Sequence, residues 1–452
     1  MQNLGGNAIK IVPFQGRFLF WEEHMKKQLN RNELILVGVM LFSLFFGAGN
    51  LIFPPFLAQE SGIHTVKAMV GFIVSAVGFP ILGVIAVSKT NGLNHLANRV
   101  NKKFSFIFTI LIYLSIGPLL GIPRAGSLPY EMVLKPFATK EFIPHNLALL
   151  LFTSTFFFFA YRLAMRPNKL VDRLGKILTP ILLFLIAAVF VASFSKTFPN
   201  VESVAPKYEV SPILVGFLDG YQTMDTIAAL NFGLVITMII KSSGINNKKD
   251  IVNNTIKAGL LAGLILTLIY SSLAYLGRQS GALFGTTDNG AKTLANIILY
   301  IFGDFGLFLL ATIFTLACLT TAVGLITSIS QYFESISKYS YSTWVKIFTL
   351  WSLFISNFGL TKILEISVPI LNIIYPIALV LIILSIFNDH YIKHTKVYKY
   401  SVYITIPIAI IQVFVKSDIF NWIPFYKDRL GWVVPAILTA SIVYLYELVK
   451  NR

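Results

Sequence analysis

Residues 41–55 read LFSLFFGAGNLIFPP, an apolar stretch that Gly47, Gly49 and Asn50 interrupt near its middle. The stretch belongs to a longer apolar run, residues 33–57, that can cross a bilayer, since a spanning helix needs about 20 mainly apolar residues. A helix in lipid must satisfy its own backbone groups, so an interruption indicates a cavity or a binding site. The alternative is a glycine-lined packing face with a tolerated kink.

A second apolar run, residues 212–240, carries a more polar interruption. Residues 217–233 read FLDGYQTMDTIAALNFG and include two carboxylates, Asp219 and Asp225. Ionisable residues inside a membrane segment are costly, and they indicate a functional site. The alternative is a span that begins at Ile227 and leaves the preceding polar residues as an exposed loop.

The composition of the whole chain predicts a membrane protein. Of 452 residues, 56% are hydrophobic and 13% are charged, against roughly 45–50% and about 25% in soluble domains. So few charges could not cover a soluble surface, which excludes soluble, disordered and disulfide-rich classes. The single cysteine, Cys318, cannot form an internal disulfide. Twelve apolar runs predict twelve transmembrane helices: 33–57, 66–88, 104–134, 146–161, 174–197, 212–240, 256–278, 305–333, 343–359, 363–387, 400–416 and 430–449.

The net charge of +17 is explained by a basic cytoplasmic face, without nucleic-acid binding. Most Lys and Arg fall in segments that twelve spans place on the side of both termini, which predicts cytoplasmic termini. Residues 1–32 are expected to form a cytoplasmic tail, of which the part before Met25 is disordered or an over-extended gene start. The longest connecting segment, residues 279–304, is expected to fold back on the outer face.

The two interrupted runs are the first and the sixth, at corresponding places five helices apart. This spacing is typical of transporters built from inverted repeats. We therefore predict an all-α fold with a first five-helix repeat over residues 33–197, a second over residues 198–387, and helices 11 and 12 over residues 388–452. The GxxxG pairs at Gly117 and Gly259 fit internal or dimer contacts equally well, so the oligomeric state stays open.

Two further polar features lie within predicted spans. Thr320 and Thr321, with the carbonyl of Ala317 one turn back, could offer three oxygen ligands to a hard cation; alternatively, the hydroxyls bond only their own helix carbonyl. Arg124 lies inside the third span and could pair with a carboxylate, for which Asp219, Asp225 and Glu131 are the candidates. The alternative is that Arg124 snorkels to the outer interface.

Three motifs together resemble the branched-chain amino acid:cation symporter family, which are bacterial carriers for leucine, isoleucine and valine. They are the GAGNLIFPP sequence from Gly47, the GPLLGIPR sequence from Gly117 to Arg124, and the GYQTMD sequence from Gly220. The resemblance covers nearly the whole chain from about Met25. It implies the LeuT-type inverted-repeat fold of the amino acid–polyamine–organocation superfamily, with helices 1 and 6 unwound, in the bacterial cytoplasmic membrane.

The resemblance also implies site residues. The amides of Ala48 and Gly49 would hold the substrate carboxylate, because a half-helix N-terminus suits an anion. The implied substrate-binding set is Phe45, Gly47, Ala48, Gly49, Asn50, Tyr221, Thr223, Met224 and Asp225. The implied sodium ligands are the carbonyls of Ser43, Phe46 and Ala317 and the hydroxyls of Thr320 and Thr321. The implied gate or ion-pair residues are Arg124, Glu131 and Asp219.

The implied function is sodium-driven import of branched-chain amino acids by alternating access, with sodium as the coupling ion. Phe45, Phe46, Tyr221 and Met224 are the predicted apolar walls for the substrate side chain. A proton-coupled carrier of the same fold, with Asp219 or Asp225 carrying the proton, is the alternative, and a channel is another. An enzyme is not expected, since the sequence has no HExxH, GxSxG, Walker or Cys/His cluster.

Overall fold

The computed structural model describes residues 27–90, 92–133, 144–165, 170–200, 204–387, 395–415 and 418–450, so most of the predicted N-terminal tail lies outside the described residues. The regular elements in these ranges are helices. They are α1 (Arg31–Phe45), α2 (Ala48–Ser61), α3 (Thr65–Ile73), α4 (Phe79–Thr90), α5 (Leu93–Ala97), α6 (Lys102–Leu114), α7 (Gly121–Val133), α8 (His145–Ala164), α9 (Leu170–Ser193), α10 (Lys207–Val210), α11 (Pro212–Gly220), α12 (Asp225–Ser242), α13 (Lys248–Phe284), α14 (Gly290–Ile336), α15 (Tyr341–Ser356), α16 (Leu360–Ile386), α17 (Thr395–Phe414) and α18 (Val433–Lys450). Single π-turns join α3 to α4 and α6 to α7.

Each of the twelve predicted apolar runs overlaps at least one of these helices. Within the described ranges, ten helical stretches are long and apolar enough to cross a membrane. The count of twelve spans stays a prediction, because α1 and α15 have only 15 and 16 residues. Large side chains such as Phe158 and Leu350 are exposed on these helices, as a lipid-facing surface requires.

The predicted outer connection over residues 279–304 is mostly helical, which corrects the expectation of a loop. α13 continues to Phe284, and α14 begins at Gly290. Two local signals explain the short gap: Gly285 takes a positive φ of 69° that ends α13, and the Asn289 side chain accepts from the Lys292 amide at 3.1 Å. α14 then bends at Gly303, where φ is 64°.

Helices α3 and α11 approach each other so closely that two glycines are required. A methyl carbon on Gly71 would lie 1.9 Å from the carbonyl oxygen of Ile213, and one on Gly216 would lie 2.0 Å from that of Ala68. The two contacts are reciprocal, each glycine facing the backbone of the other helix. The element before the second polar interruption is therefore fixed to α3 along its length.

Replacing Gly71 by alanine is expected to lower the stability of the bundle by about 1–3 kcal/mol, since the added carbon meets backbone that cannot rotate away. The measurement is the temperature at which the purified protein leaves the folded peak in size-exclusion chromatography. Gly324→Ala is the matched control, because no atom lies within 4 Å of the added carbon on that helical glycine. Equal melting temperatures for the two variants would contradict the prediction.

The GxxxG glycines of α13 serve contacts within the chain. Added carbons on Gly259 and Gly263 would lie 2.9 and 2.5 Å from side-chain atoms of Ile81, on α4. An added carbon on Gly117 would similarly meet Ile329 at 2.2 Å. The structure therefore supports contacts between helices of the same chain, and not dimer contacts, for these glycines.

Candidate binding site between two interrupted helices

The first interruption lies between α1 and α2, at residues 46–47. The Phe46 amide makes the last α1 bond, to the Phe42 carbonyl at 2.8 Å, and Gly47 is extended at φ −125° and ψ −165°. The Asn50 side chain accepts from the Gly47 amide at 3.0 Å. The next residues already form the first turn of α2, so the interruption is shorter than the GAGN sequence suggests. The first amides of α2 have no partner within the helix and stand at its positive end.

The second interruption, residues 221–224, separates α11 from α12. A single 3₁₀ turn is followed by Met224, whose φ of 67° is left-handed, and α12 begins at Asp225. A positive φ on a residue with a side chain is costly and occurs most often at functional sites. Gln222, Thr223 and Asp225 are only 8%, 4% and 2% exposed. The alternative of an exposed loop is therefore wrong.

A cavity of about 50 Å³ lies between the two interruptions. Most of the residues implied by the resemblance line it: Phe45, Gly47, Ala48, Gly49, Asn50, Thr223, Met224 and Asp225, together with Arg124 and Thr321. Seven further lining residues were not anticipated: Leu44, Ile116, Gly121, Ala125, Ala228, Phe232 and Leu325. Apart from the interruptions and the charged groups, the wall is apolar.

Two of the aromatic residues predicted to line the cavity do not do so. The Tyr221 ring stacks on Tyr375, with centroids 4.2 Å apart, and the Phe46 ring stacks on Phe42 at 5.0 Å. Phe232 contributes the wall instead, with its ring 6.3 Å from that of Phe45. Phe232 follows Ala228, another lining residue, by four positions, so the helical period places both on one face of α12. This period is the sequence signal that could have identified Phe232.

A hydrogen-bond network holds Asp225 in the cavity wall. The Asn50 side-chain amide donates to the Asp225 carboxylate and to the Tyr270 hydroxyl. Tyr270, on α13, also donates to Asp225 Oδ2 at 3.1 Å. Asn50 thus joins the first interruption to the start of α12. Sequence reasoning missed Tyr270, which nothing in the apolar run around it distinguishes from an ordinary aromatic residue.

Arg124 is buried, which makes the snorkelling alternative wrong. Its side chain is 4% exposed, and its guanidinium donates to the carbonyls of Gln222 at 2.7 Å and Thr223 at 3.5 Å. The Phe53 ring lies beneath it, 5.4 Å from the guanidinium carbon. Arg124 therefore binds the second interruption through backbone oxygens, and the predicted pairing with a carboxylate is not formed.

Asp219 belongs to a separate polar cluster beside α2. Its carboxylate accepts from the Tyr208 hydroxyl and lies 3.8 Å from Lys207 Nζ, which is also 2.7 Å from Glu60. Burial lowers the pKa of Lys207, but the carboxylates of Asp219 and Glu60 raise it more, so the net pKa is above its ordinary value. Glu131, on α7, is not among the residues that line the cavity.

The hydroxyl pair of α14 lies beside the first interruption. Thr320 and Thr321 donate to the Ala317 carbonyl at 2.8 and 3.1 Å, the local bonding that was the alternative to cation binding. Their oxygen lone pairs can still face a cation. A methyl carbon on Gly47 would lie 3.3 Å from Thr321, so the structure brings α14 against the segment that follows Ser43. In the described part of the chain, His, Cys, Asp and Glu form no metal-binding cluster of three.

A second polar contact is centred on Asn231 of α12, the residue before the cavity-lining Phe232. The Tyr113 hydroxyl donates to Asn231 Oδ1 at 2.9 Å, and the Asn231 amide donates to Ser328 Oγ at 2.9 Å. The rings of Tyr113 and Tyr332 stack with centroids 4.1 Å apart. We call Tyr113, Asn231, Ser328 and Tyr332 the Asn231 cluster; it joins α6, α12 and α14.

Comparison with known proteins decides the family. The family described as branched-chain amino acid transport protein matches residues 30–450. The chain belongs to this family. The branched-chain amino acid permease BraB of Bacillus subtilis (strain 168) is 42% identical over 439 residues, which cover 94% of this chain and 97% of that protein. The branched-chain amino acid transport system 2 carrier protein of Pseudomonas aeruginosa is 36% identical over 428 residues, which cover 93% and 96%.

Solved structures show the fold of this branched-chain amino acid transport protein. Mhp1, a nucleobase-cation-symport-1 family transporter in a closed conformation, superposes with a TM-score of 0.59 over 91% of this chain and 92% of that chain, at 11% identity. MhsT in complex with L-phenylalanine gives 0.55 over 92% and 98%, at 15% identity. The LeuT-type fold implied by the resemblance is confirmed. The family membership also confirms a multi-pass membrane transporter that is not an enzyme.

Proposed function

We propose that this protein imports leucine, isoleucine and valine across the bacterial cytoplasmic membrane, with both termini in the cytoplasm. The observation that carries the substrate class is the cavity wall: one guanidinium, Arg124, and one carboxylate, Asp225, line it together with apolar side chains. A zwitterion with a hydrocarbon side chain matches both the charges and the walls. Relatives at 36–42% identity are named branched-chain amino acid permeases or carriers.

The substrate would lie across the two interruptions. The amides of Ala48 and Gly49, at the positive end of α2, suit its carboxylate. Its ammonium would lie against Asp225 and the carbonyls near Phe45 and the second interruption. Its side chain would face Met224 and the apolar residues beside it. Discrimination by one methylene is worth only about 1–3 kcal/mol, so we propose overlapping uptake of all three amino acids.

Sodium is the proposed coupling ion. One sodium ion entering at about −100 mV releases about 2.3 kcal/mol, and a tenfold gradient adds about 1.4 kcal/mol. Together these support accumulation of several hundredfold. The proposed ligands are the carbonyls of Ser43, Phe46 and Ala317 and the hydroxyls of Thr320 and Thr321. The contact of Thr321 with Gly47 supports this position, because an ion bound by Thr321 would then lie beside the proposed substrate.

Coupling would follow from the element that both ligands share. The first interruption borders the substrate cavity on one side and the α14 hydroxyls on the other, so filling both sites favours one arrangement of α1 against α2. A ligand shifts such an equilibrium only by its differential affinity for the two states. Proton coupling through Asp225 is the alternative, and its location in the cavity wall is the observation that favours it.

Uptake by purified protein in liposomes tests the proposal. We expect leucine uptake to require an inward sodium gradient, and Thr321→Ala to raise the sodium concentration for half-maximal uptake by about 10- to 100-fold, since a hydroxyl bound to a charge is worth about 1.5–3 kcal/mol. Thr315→Ala is the control, because Thr315 makes the same bond within α14, to Ala311 at 2.8 Å. Uptake that depends on the pH gradient and does not depend on the sodium concentration would instead indicate proton coupling.

A further inference from the structure

The guanidinium of Arg124 is a buried charge that forms no ion pair within the described part of the chain. Among the described residues, its five N–H donors bond only to the two carbonyls of the second interruption, and its buried Nε has no hydrogen-bond partner there. Within the described part of the chain, no carboxylate lies within 4.0 Å of it. A charge in the membrane interior that lacks a partner is costly and indicates that a ligand supplies the partner.

The guanidinium stands at the positive end of α2. A methyl carbon on Gly49 would lie 2.8 Å from Arg124 Nη2, so only the missing side chain at that position lets the two meet. The free amides at the start of α2 carry partial positive charge. Arg124 and these amides therefore raise the potential of the same part of the cavity wall, where they form a site for an anion.

Asp225 does not fill this site, although it lines the same cavity. Its carboxylate accepts hydrogen bonds from Asn50 and Tyr270, while the Arg124 guanidinium donates to carbonyls. Two opposite charges that share a cavity of this size would normally form an ion pair in a medium of low dielectric constant. Here each has separate partners, so both groups are available to a ligand that carries both charges.

We propose that Arg124 binds the α-carboxylate of the transported amino acid and is the residue that restricts transport to molecules with a carboxylate. The assignment rests on the proposed function and adds to it a specific receptor for the acid group. The same guanidinium donates to the carbonyls of Gln222 and Thr223. A carboxylate that binds the guanidinium would therefore change these hydrogen bonds to the second interruption. Substrate binding would thus act directly on the second interruption.

Competition against labelled leucine in liposomes tests the proposal in the unaltered protein. The competitors are unlabelled leucine, leucinol and isopentylamine. All three have the same hydrocarbon side chain and an ammonium group, but only leucine has a carboxylate. We expect leucinol and isopentylamine to need at least about 100-fold higher concentrations, because a site built around a polar group strongly rejects analogues that lack it. Equal inhibition by leucine and leucinol would overturn the role of Arg124 and leave leucine transport standing. Absence of leucine uptake would overturn both.

Variants of Arg124 separate recognition from a structural role. For Arg124→Gln we expect the inhibition constant of unlabelled leucine to rise about 100-fold and that of leucinol to change less than threefold. For Arg124→Lys the rise in the leucine constant should be smaller, since lysine keeps the charge without the planar guanidinium. A merely structural role would raise both constants equally, and that result would overturn the proposal. Arg99→Gln is the control. Arg99 does not line the cavity, and its guanidinium donates to the Tyr398 hydroxyl over 3.0 Å. If Arg124→Gln does not fold, Arg124→Lys decides, because a rise in the leucine constant without a matching rise in the leucinol constant is expected of it too, and an equal rise in both would overturn the proposal.

Discussion

Gly49→Ala is expected to reduce the initial rate of leucine uptake by at least about 100-fold. The added carbon would lie 2.8 Å from Arg124 Nη2 and 3.2 Å from Thr223 Cα. The guanidinium cannot swing into solvent, because it is buried between two carbonyls and the Phe53 ring. Either Arg124 leaves the cavity wall or the second interruption moves away from α2. A displacement of about 1 Å in such a site lowers the rate about 100-fold. The measurement is uptake of labelled leucine by purified protein in liposomes.

Gly324→Ala is the matched control for this variant, since its added carbon meets no neighbour within 4 Å. It should transport like the unaltered protein. Both variants should elute as folded protein in size-exclusion chromatography, which separates a damaged site from a damaged bundle. Uptake by Gly49→Ala at the unaltered rate would show that the contact between α2 and Arg124 is not needed.

Asp225→Asn is expected to raise the KM for leucine by at least about 100-fold. The change keeps the shape of the side chain but removes the negative charge proposed to face the substrate ammonium, and breaking a buried charge pair costs about 2–5 kcal/mol. Both hydrogen bonds, from Asn50 and Tyr270, end on one oxygen of Asp225, and an amide oxygen can accept them too, so the variant tests the charge alone. The measurement is the concentration dependence of uptake at saturating sodium.

Asp288→Asn is the control for the loss of one negative charge. Asp288 is 75% exposed and lies 3.4 Å from Lys292, where an exposed ion pair contributes little. Its KM should equal that of the unaltered protein. If Asp225→Asn keeps its affinity for leucine but no longer responds to a pH gradient, Asp225 carries a proton, and the sodium mechanism is wrong.

Much of the fold could be predicted from the sequence, because lipid requires long apolar helices and makes each departure from them visible. Gly47, Asn50 and Asp225 stood out as polar or flexible positions within apolar runs, and they line the cavity. The number of spans and the repeat boundaries stay predictions. The helical part of the connection between α13 and α14 was missed because it continues these two helices beyond the most apolar residues, where the sequence signal is weaker.

The site could be predicted only in part, because sequence shows which residues are unusual and does not show which of them meet. Arg124 was recognised as unusual, but its partners are backbone oxygens, which no residue type reveals. Tyr221 stacks on Tyr375, 154 positions along the chain, and so leaves the wall to Phe232. Tyr270 reaches Asp225 from another helix. Such contacts depend on tertiary packing.

The Asn231 cluster joins three helices through weak contacts. Tyr113, Asn231, Ser328 and Tyr332 are linked by two neutral hydrogen bonds, each worth about 0.5–1.5 kcal/mol, and by one ring stack worth about 0.5–1.5 kcal/mol. Contacts of this strength should break and re-form at equilibrium without a ligand to trigger them. The junction of α6, α12 and α14, next to the cavity-lining Phe232, therefore has little polar bonding to resist a rearrangement of these helices.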